Sequence, residues 1–225
     1  MQVGPKIIQT EVRGTSKTSH LYKKAFVFPK ESDNSYVSLK AQLKEPLKAF
    51  TVCLYIYSEL AVSRGYSVFS YATKEKPNEI LIFCSKCRAK YEDLLQCMRL
   101  QYYNTSVLFK SPENTQAPTH ICASWESVSG IAEFWVDGKP MVRKSLEKGA
   151  SLGTEASIIL GQEQEALLGT IIKTSVQCET LEISVYVGET FSPNVLDWQP
   201  LKYEAHGEVF VKPQLCSFGK ISNST

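Results

Sequence analysis

The chain has 225 residues, 43% hydrophobic and 21% charged, with a formal net charge of +2. This suits a globular protein able to bury a real core, and a large all-β domain of this length need not split. The near-neutral balance argues against a nucleic-acid partner, which calls for a clustered basic face. No run reaches the ~18 apolar residues that mark a transmembrane segment.

Residues 1–24 stand apart. Lys6, Arg13, Lys17, Lys23 and Lys24 face the single acid Glu11 among scattered Ser and Thr. The longest aliphatic run there is Ile7-Ile8, far short of the ~7–15 apolar residues of a secretory signal core. No signal peptide is visible, and the stretch reads as a disordered tail. From Lys24 onward, short β-runs alternate with turn residues. Strands are predicted over 25–28, 36–39, 50–57, 67–72, 79–83, 107–110, 120–125, 131–136, 141–144, 156–160, 181–187 and 208–212. Between 92 and 100 the apolar residues Leu94, Leu95 and Met98 fit one or two helical turns. Residues 179–187 suit strand or helix. The sharpest local signal is Asp137-Gly138 between Ile131–Val136 and the run from Lys139 to Arg143. Asp-Gly favours a type I′ hairpin, because both central residues of that turn need positive φ. The expected fold is all-β: an antiparallel two-sheet β-sandwich of the lectin-like jelly-roll kind, with room for one short helix.

Seven cysteines permit at most three internal bridges. Cys53 and Cys122 each lie inside an apolar strand pattern, where a bridge could join two strands. His120 and Cys122 are two apart and so share a strand face, which also admits a nucleophile–base pair. Cys84-Ser-Lys-Cys87 has zinc-like spacing with Cys97 nearby, but a structural zinc site wants a fourth ligand. Glu163 and Glu165, ~6.6 Å apart along a strand, fall near the spacing of an inverting glycosidase pair. No aromatic-rich sugar groove accompanies them, and no nucleophile elbow, phosphate loop or dinucleotide fingerprint is present. Taken alone, Glu163-Gln-Glu165 is a solvated turn. Asn104-Thr-Ser106 is a glycosylation sequon.

His120-Ile-Cys122-Ala-Ser124-Trp125-Glu-Ser127 resembles the signature of the short pentraxins. Lys24-Ala-Phe-Val-Phe-Pro29, Tyr66 to Thr73, Gly161-Gln-Glu163-Gln164, Phe191 to Trp198 and Lys212 to Leu215 resemble the same family in the same order. The likeness fails mainly over 87–104 and 165–189. It implies a tail over 1–24, a pentraxin domain over 25–215 and a C-terminal tail over 216–225. It further implies a Cys53–Cys122 disulfide and no enzymatic activity. The implied protein is secreted and homopentameric, binds phosphocholine or other anionic ligands through calcium, and has links to complement components and innate immunity. The matching calcium positions are Asn78, Glu163, Gln164 (through its carbonyl) and Glu165, and Phe83 matches the aromatic residue that receives the ligand's cation. Several positions depart from the pattern. Pro77 replaces an acidic ligand, Ser106 falls where the cation's acid belongs, the loop after Glu165 lacks further ligands, and Cys84 and Cys216 replace tryptophans. The resemblance thus implies one weakly held calcium ion, or an interaction subunit that keeps the fold and has lost calcium and ligand binding.

Overall fold

The computed structural model describes residues 19–20, 24–30, 32–40, 45–58, 65–88, 94–112, 119–164, 181–188 and 202–213. They form strands β1 (Ser19–His20), β2 (Lys24–Phe28), β3 (Tyr36–Lys40), β4 (Ala49–Ser58), β5 (Tyr66–Thr73), β6 (Ile80–Arg88), β7 (Leu94–Tyr102) and β8 (Thr105–Pro112). The second half adds β9 (Thr119–Glu126), β10 (Ile131–Val136), β11 (Lys139–Pro140), β12 (Lys144–Ser145), β13 (Ala156–Leu160), β14 (Leu181–Gly188), β15 (Lys202–His206) and β16 (Phe210–Pro213). One sheet runs β1-β15-β3-β13-β5-β6-β7-β8; the other runs β11-β10-β9-β4-β14-β2-β16, with β12 also on β10. Every pairing is antiparallel.

Alternation builds the sandwich. Phe50, Val52, Leu54 and Ile56 of β4 point into the same core as Ile80 and Ile82 of β6 and Met98 and Leu100 of β7. Aromatic pairs span the sheets: Phe109 stacks on Phe134 at 5.0 Å between centroids, and Phe26 meets Tyr203 edge-on at 4.8 Å. Trp125, 1% exposed, donates its indole N–H to the Leu146 carbonyl at 2.6 Å, which satisfies the one polar atom of a core aromatic.

Two expectations need correction. The short helix allowed over 92–100 is strand β7, paired with β6 and β8 along its length. Its core residues are Met98, Leu100 and Tyr102, a period of two that the leucines before them mask. Among the described residues no helix forms at all. The strand predicted over 141–144 is also absent as such. Met141 N–H still reaches the Phe134 carbonyl at 2.8 Å, but Val142 is 78% exposed and pairing resumes only at Lys144. A Met-Val apolar run mimics a strand without burying a face. The ambiguous segment near 181–187 is strand β14. The Asp-Gly hairpin forms as expected: Asp137 and Gly138 take φ of 49° and 76°, with Val136 opposite Lys139.

Candidate functional site

Three of the four expected metal positions, Asn78, Glu163 and Gln164, lie together at one corner of the first sheet. The β5–β6 turn places Asn78 at φ 48°, a left-handed conformation that Asn tolerates, and Glu163 and Gln164 follow β13. Asn78 is nearly buried. Its Nδ2 donates to Glu163 Oε1 at 3.0 Å, across 85 residues of sequence. Its Oδ1 accepts from the Gln164 backbone N–H at 3.1 Å and from Ser70 Oγ at 3.2 Å. A backbone N–H cannot accept, so Gln164 fixes which end of the Asn78 amide faces inward. The Gln164 side chain is structural: its Nε2 donates to the Ser70 and Ser157 carbonyls and to Ser70 Oγ. Gln162 does the same one step earlier, donating to the Ser32 and Ser35 carbonyls. Glu165 and the loop after it lie outside the described residues.

Beneath this corner lies a buried acid that sequence reasoning passed over. Glu79, 1% exposed, accepts from Thr73 Oγ1 (3.2 Å), the Gly153 N–H (3.2 Å), Lys76 Nζ (3.3 Å) and Tyr102 Oη (3.4 Å). Burial first and the Glu79 charge second hold the Tyr71 and Tyr102 hydroxyls above their ordinary pKa. Both stay protonated and donate: Tyr71 to the Gly153 carbonyl, and Tyr102 through its single proton shared between the Ser151 carbonyl at 2.8 Å and the more distant Glu79. The available signal was an acid directly beside Asn78 at the start of a strand.

Phe83 is half-buried on the outer face of β6, one sheet row from Arg99, whose guanidinium lies 5.9 Å from the ring centroid. Ser106 is exposed on β8, opposite Gln101. Asn104, the sequon residue, is exposed in the two-residue β7–β8 turn.

The cysteine readings resolve in part. Cys53 and Cys122 sit opposite each other on β4 and β9 and are joined in a disulfide. That removes Cys122 as a nucleophile. His120 stacks on Tyr55 at 4.4 Å and has Nε2 3.6 Å from Cys122 Sγ; burial lowers its pKa, with Asp137 opposing. These three side chains cluster closely enough to suggest a metal site, yet both sulfurs are already bonded to each other. The zinc-like set fails too: Cys97 is disulfide-bonded, and Cys84 is a fully buried thiol pushed up to about 12 by burial. Cys178 and Cys216 lie outside the described residues. A cleft of about 420 Å³ on the second sheet, lined in part by Thr51, Ser124, Glu133 and Arg143, contains none of the expected site residues.

An antiparallel jelly roll whose loop corner gathers oxygen donors defines a recognition protein of lectin-like architecture. The comparisons specify which kind. Residues 24–182 and 170–213 match the Pentaxin family, and the chain belongs to that family, also written pentraxin. It is 56% identical over 207 residues to the C-reactive protein of Cavia porcellus, covering 86% of this chain and 88% of that one. It is 54% identical over 223 residues to the C-reactive protein of Homo sapiens, covering 93% and 96%. Among solved structures, a native heptameric SAP-like pentraxin from Limulus polyphemus superposes with a TM-score of 0.70 at 18% identity, covering 87% of this chain and 97% of that one. The chain is therefore a pattern-recognition pentraxin, and proteins of this family are not enzymes.

Proposed function

We propose that the chain is a secreted pattern-recognition protein of innate immunity. In this reading it assembles as a homopentamer and binds phosphocholine-type or other anionic ligands through one weakly held calcium ion. The recognition domain spans 25–215 between tails at 1–24 and 216–225, and complement components are its downstream partners. A wholly buried disulfide fits an oxidising compartment.

The observation that carries the calcium reading is the direct contact of Asn78 with Glu163, with the Gln164 backbone beside them. The donors there are a carboxylate and an amide, and the Gln164 carbonyl would add a third oxygen of the class calcium takes. Glu165 would add a second carboxylate. Pro77 cannot add a third, so the set neutralises one divalent ion and leaves water to complete 6–8 coordination. The same contact explains weakness. Asn78 offers Glu163 its nitrogen, so an ion shared by the two must displace that hydrogen bond. Turning the amide to present oxygen then gives up the Gln164 and Ser70 bonds, at about 1 kcal/mol each. Asn78, Glu163, Gln164 and Glu165 would hold the ion, which would supply positive charge for an anionic ligand.

The alternative is a pentraxin-fold interaction subunit without calcium or ligand binding, favoured by the replacements at Pro77 and Ser106. Native mass spectrometry discriminates, because it counts subunits and ions together. The expected species is a pentamer with one calcium per subunit at millimolar calcium. A small rise in melting temperature should accompany it, and both ion and shift should be lost in Glu163→Gln. Monomer alone, two tight ions per subunit, or no ion at all would overturn the proposal.

A further inference from the structure

Strands β6, β7 and β8 form one end of the first sheet and carry Lys86, Arg88, Arg99 and Lys110 without a single Asp or Glu. Ile82 and Cys84, Met98 and Leu100, and Phe109 face the core, so alternation turns Phe83, Arg99 and Leu108 to the outer face. Register places these three in one row across the strands. The Phe83 ring is held from the side, because a Cβ on Gly65 would come within 2.1 Å of a ring carbon. Above the ring lies the Arg99 guanidinium, at 5.9 Å from the centroid. A guanidinium at that distance is in cation–π range of the ring, and its N–H groups have no carboxylate partner among the described residues. Arg99 and Lys110 are both exposed, and neither has an ion pair among the described residues. Lys110 is diagonal to Arg99 across β7 and β8, roughly 7–8 Å away between α-carbons. Leu108, 38% exposed, lies beside them.

We propose that Arg99, set over Phe83, makes this face an anion subsite that takes a phosphate monoester and turns away a quaternary ammonium. The aromatic face that would attract an ammonium already holds a cation of the protein's own. A second cation there meets like charge, and among the described residues of these three strands no carboxylate offsets it. A phosphate meets a planar fork of N–H groups that can donate to two of its oxygens, with Lys110 as a second charge. Leu108 and the exposed part of Phe83 give an apolar floor for the ester's carbon atoms. This inference rests on the recognition reading above, and it names the ligand class that reading leaves open.

The test uses the intact protein with glycerol 2-phosphate and phosphocholine as probes, followed by ligand-observed NMR in calcium and in chelator. In chelator, glycerol 2-phosphate should bind about tenfold more tightly than phosphocholine, because both offer the phosphate and only phosphocholine brings an ammonium against the Arg99 charge. Arg99→Ala should remove that preference, and Arg99→Glu should reverse it, since an acid beside Phe83 recreates a cation site. Both variants change an exposed side chain, and an unchanged melting temperature confirms their fold. A wild-type preference for phosphocholine, no binding of either probe, or glycerol 2-phosphate affinity untouched by Arg99→Ala would overturn the inference. The calcium arm keeps the two readings separate. Binding that needs calcium and ignores Arg99 sinks this inference alone. Binding that needs Arg99 and ignores calcium sinks the metal reading alone.

Discussion

Glu79 shows how much one residue can decide here. Its carboxylate is buried, and four donors from the β5–β6 turn, β7 and the Gly153 loop converge on it. A buried carboxylate is tolerated only when its lone pairs are filled, and these are. The contacts also tie the turn carrying Asn78 to the strands behind it. Truncation leaves Thr73, the Gly153 N–H and the half-buried Lys76 without this acceptor, while Tyr102 keeps the Ser151 carbonyl. Glu79→Ala should therefore lower stability by about 3 kcal/mol, whereas Glu79→Gln keeps acceptor oxygen and should cost about 1 kcal/mol. Urea unfolding of the oxidised protein measures both. Equal losses would mean that the charge, and not the hydrogen-bond set, is what the site requires.

At the scale of elements, the β10–β11 hairpin is the most self-sufficient unit. Asp137 and Gly138 both sit at positive φ, and Asp137 Oδ1 accepts the His120 N–H at 2.9 Å, so the turn also pins β9. Nothing lies within 4 Å of where a Gly138 Cβ would stand. Any penalty for Gly138→Ala is thus conformational and not steric crowding. That substitution should cost about 1 kcal/mol, while Asp137→Asn, which keeps both the left-handed tolerance and the acceptor, should stay within about 0.5 kcal/mol. Thermal melts of the two variants side by side make the comparison. Strand β7 is the opposite case. Its sequence has no clean period until β6 and β8 flank it, so its strand character comes from neighbours.

For the whole molecule, the strand order makes distant segments neighbours. β13 sits between β3 and β5 in one sheet, and β14 between β4 and β2 in the other, so each sheet is completed only when a late strand arrives. The Cys53–Cys122 disulfide joins adjacent strands over a separation of 69 residues. In the chain-entropy picture that loop contributes about 4 kcal/mol by restricting the unfolded chain. A Cys53→Ala, Cys122→Ala double variant should lose about that amount. Because the two cysteines are 0% and 4% exposed, a thiol reductant should open the bridge in the native protein only after denaturant is added. Rapid native reduction, read by mass shift after alkylation, would contradict the burial.

Sequence by itself determined whatever depends on near neighbours. Short runs rich in β-branched and aromatic residues between turn residues marked β3, β4, β9 and β13, Asp137-Gly138 marked a turn needing two positive φ values, and His120 to Ser127 marked the family. Each of these signals lies within a few residues, where backbone sterics and side-chain period act directly. Tertiary structure alone decided that 92–100 is a strand, that 141–144 is mostly not, and that Asn78 gives Glu163 its nitrogen. It alone set Glu79 beneath that corner and Arg99 over Phe83. Those facts depend on register between strands, where a slip of one residue turns every side chain to the other face, and no local pattern encodes which residues then meet.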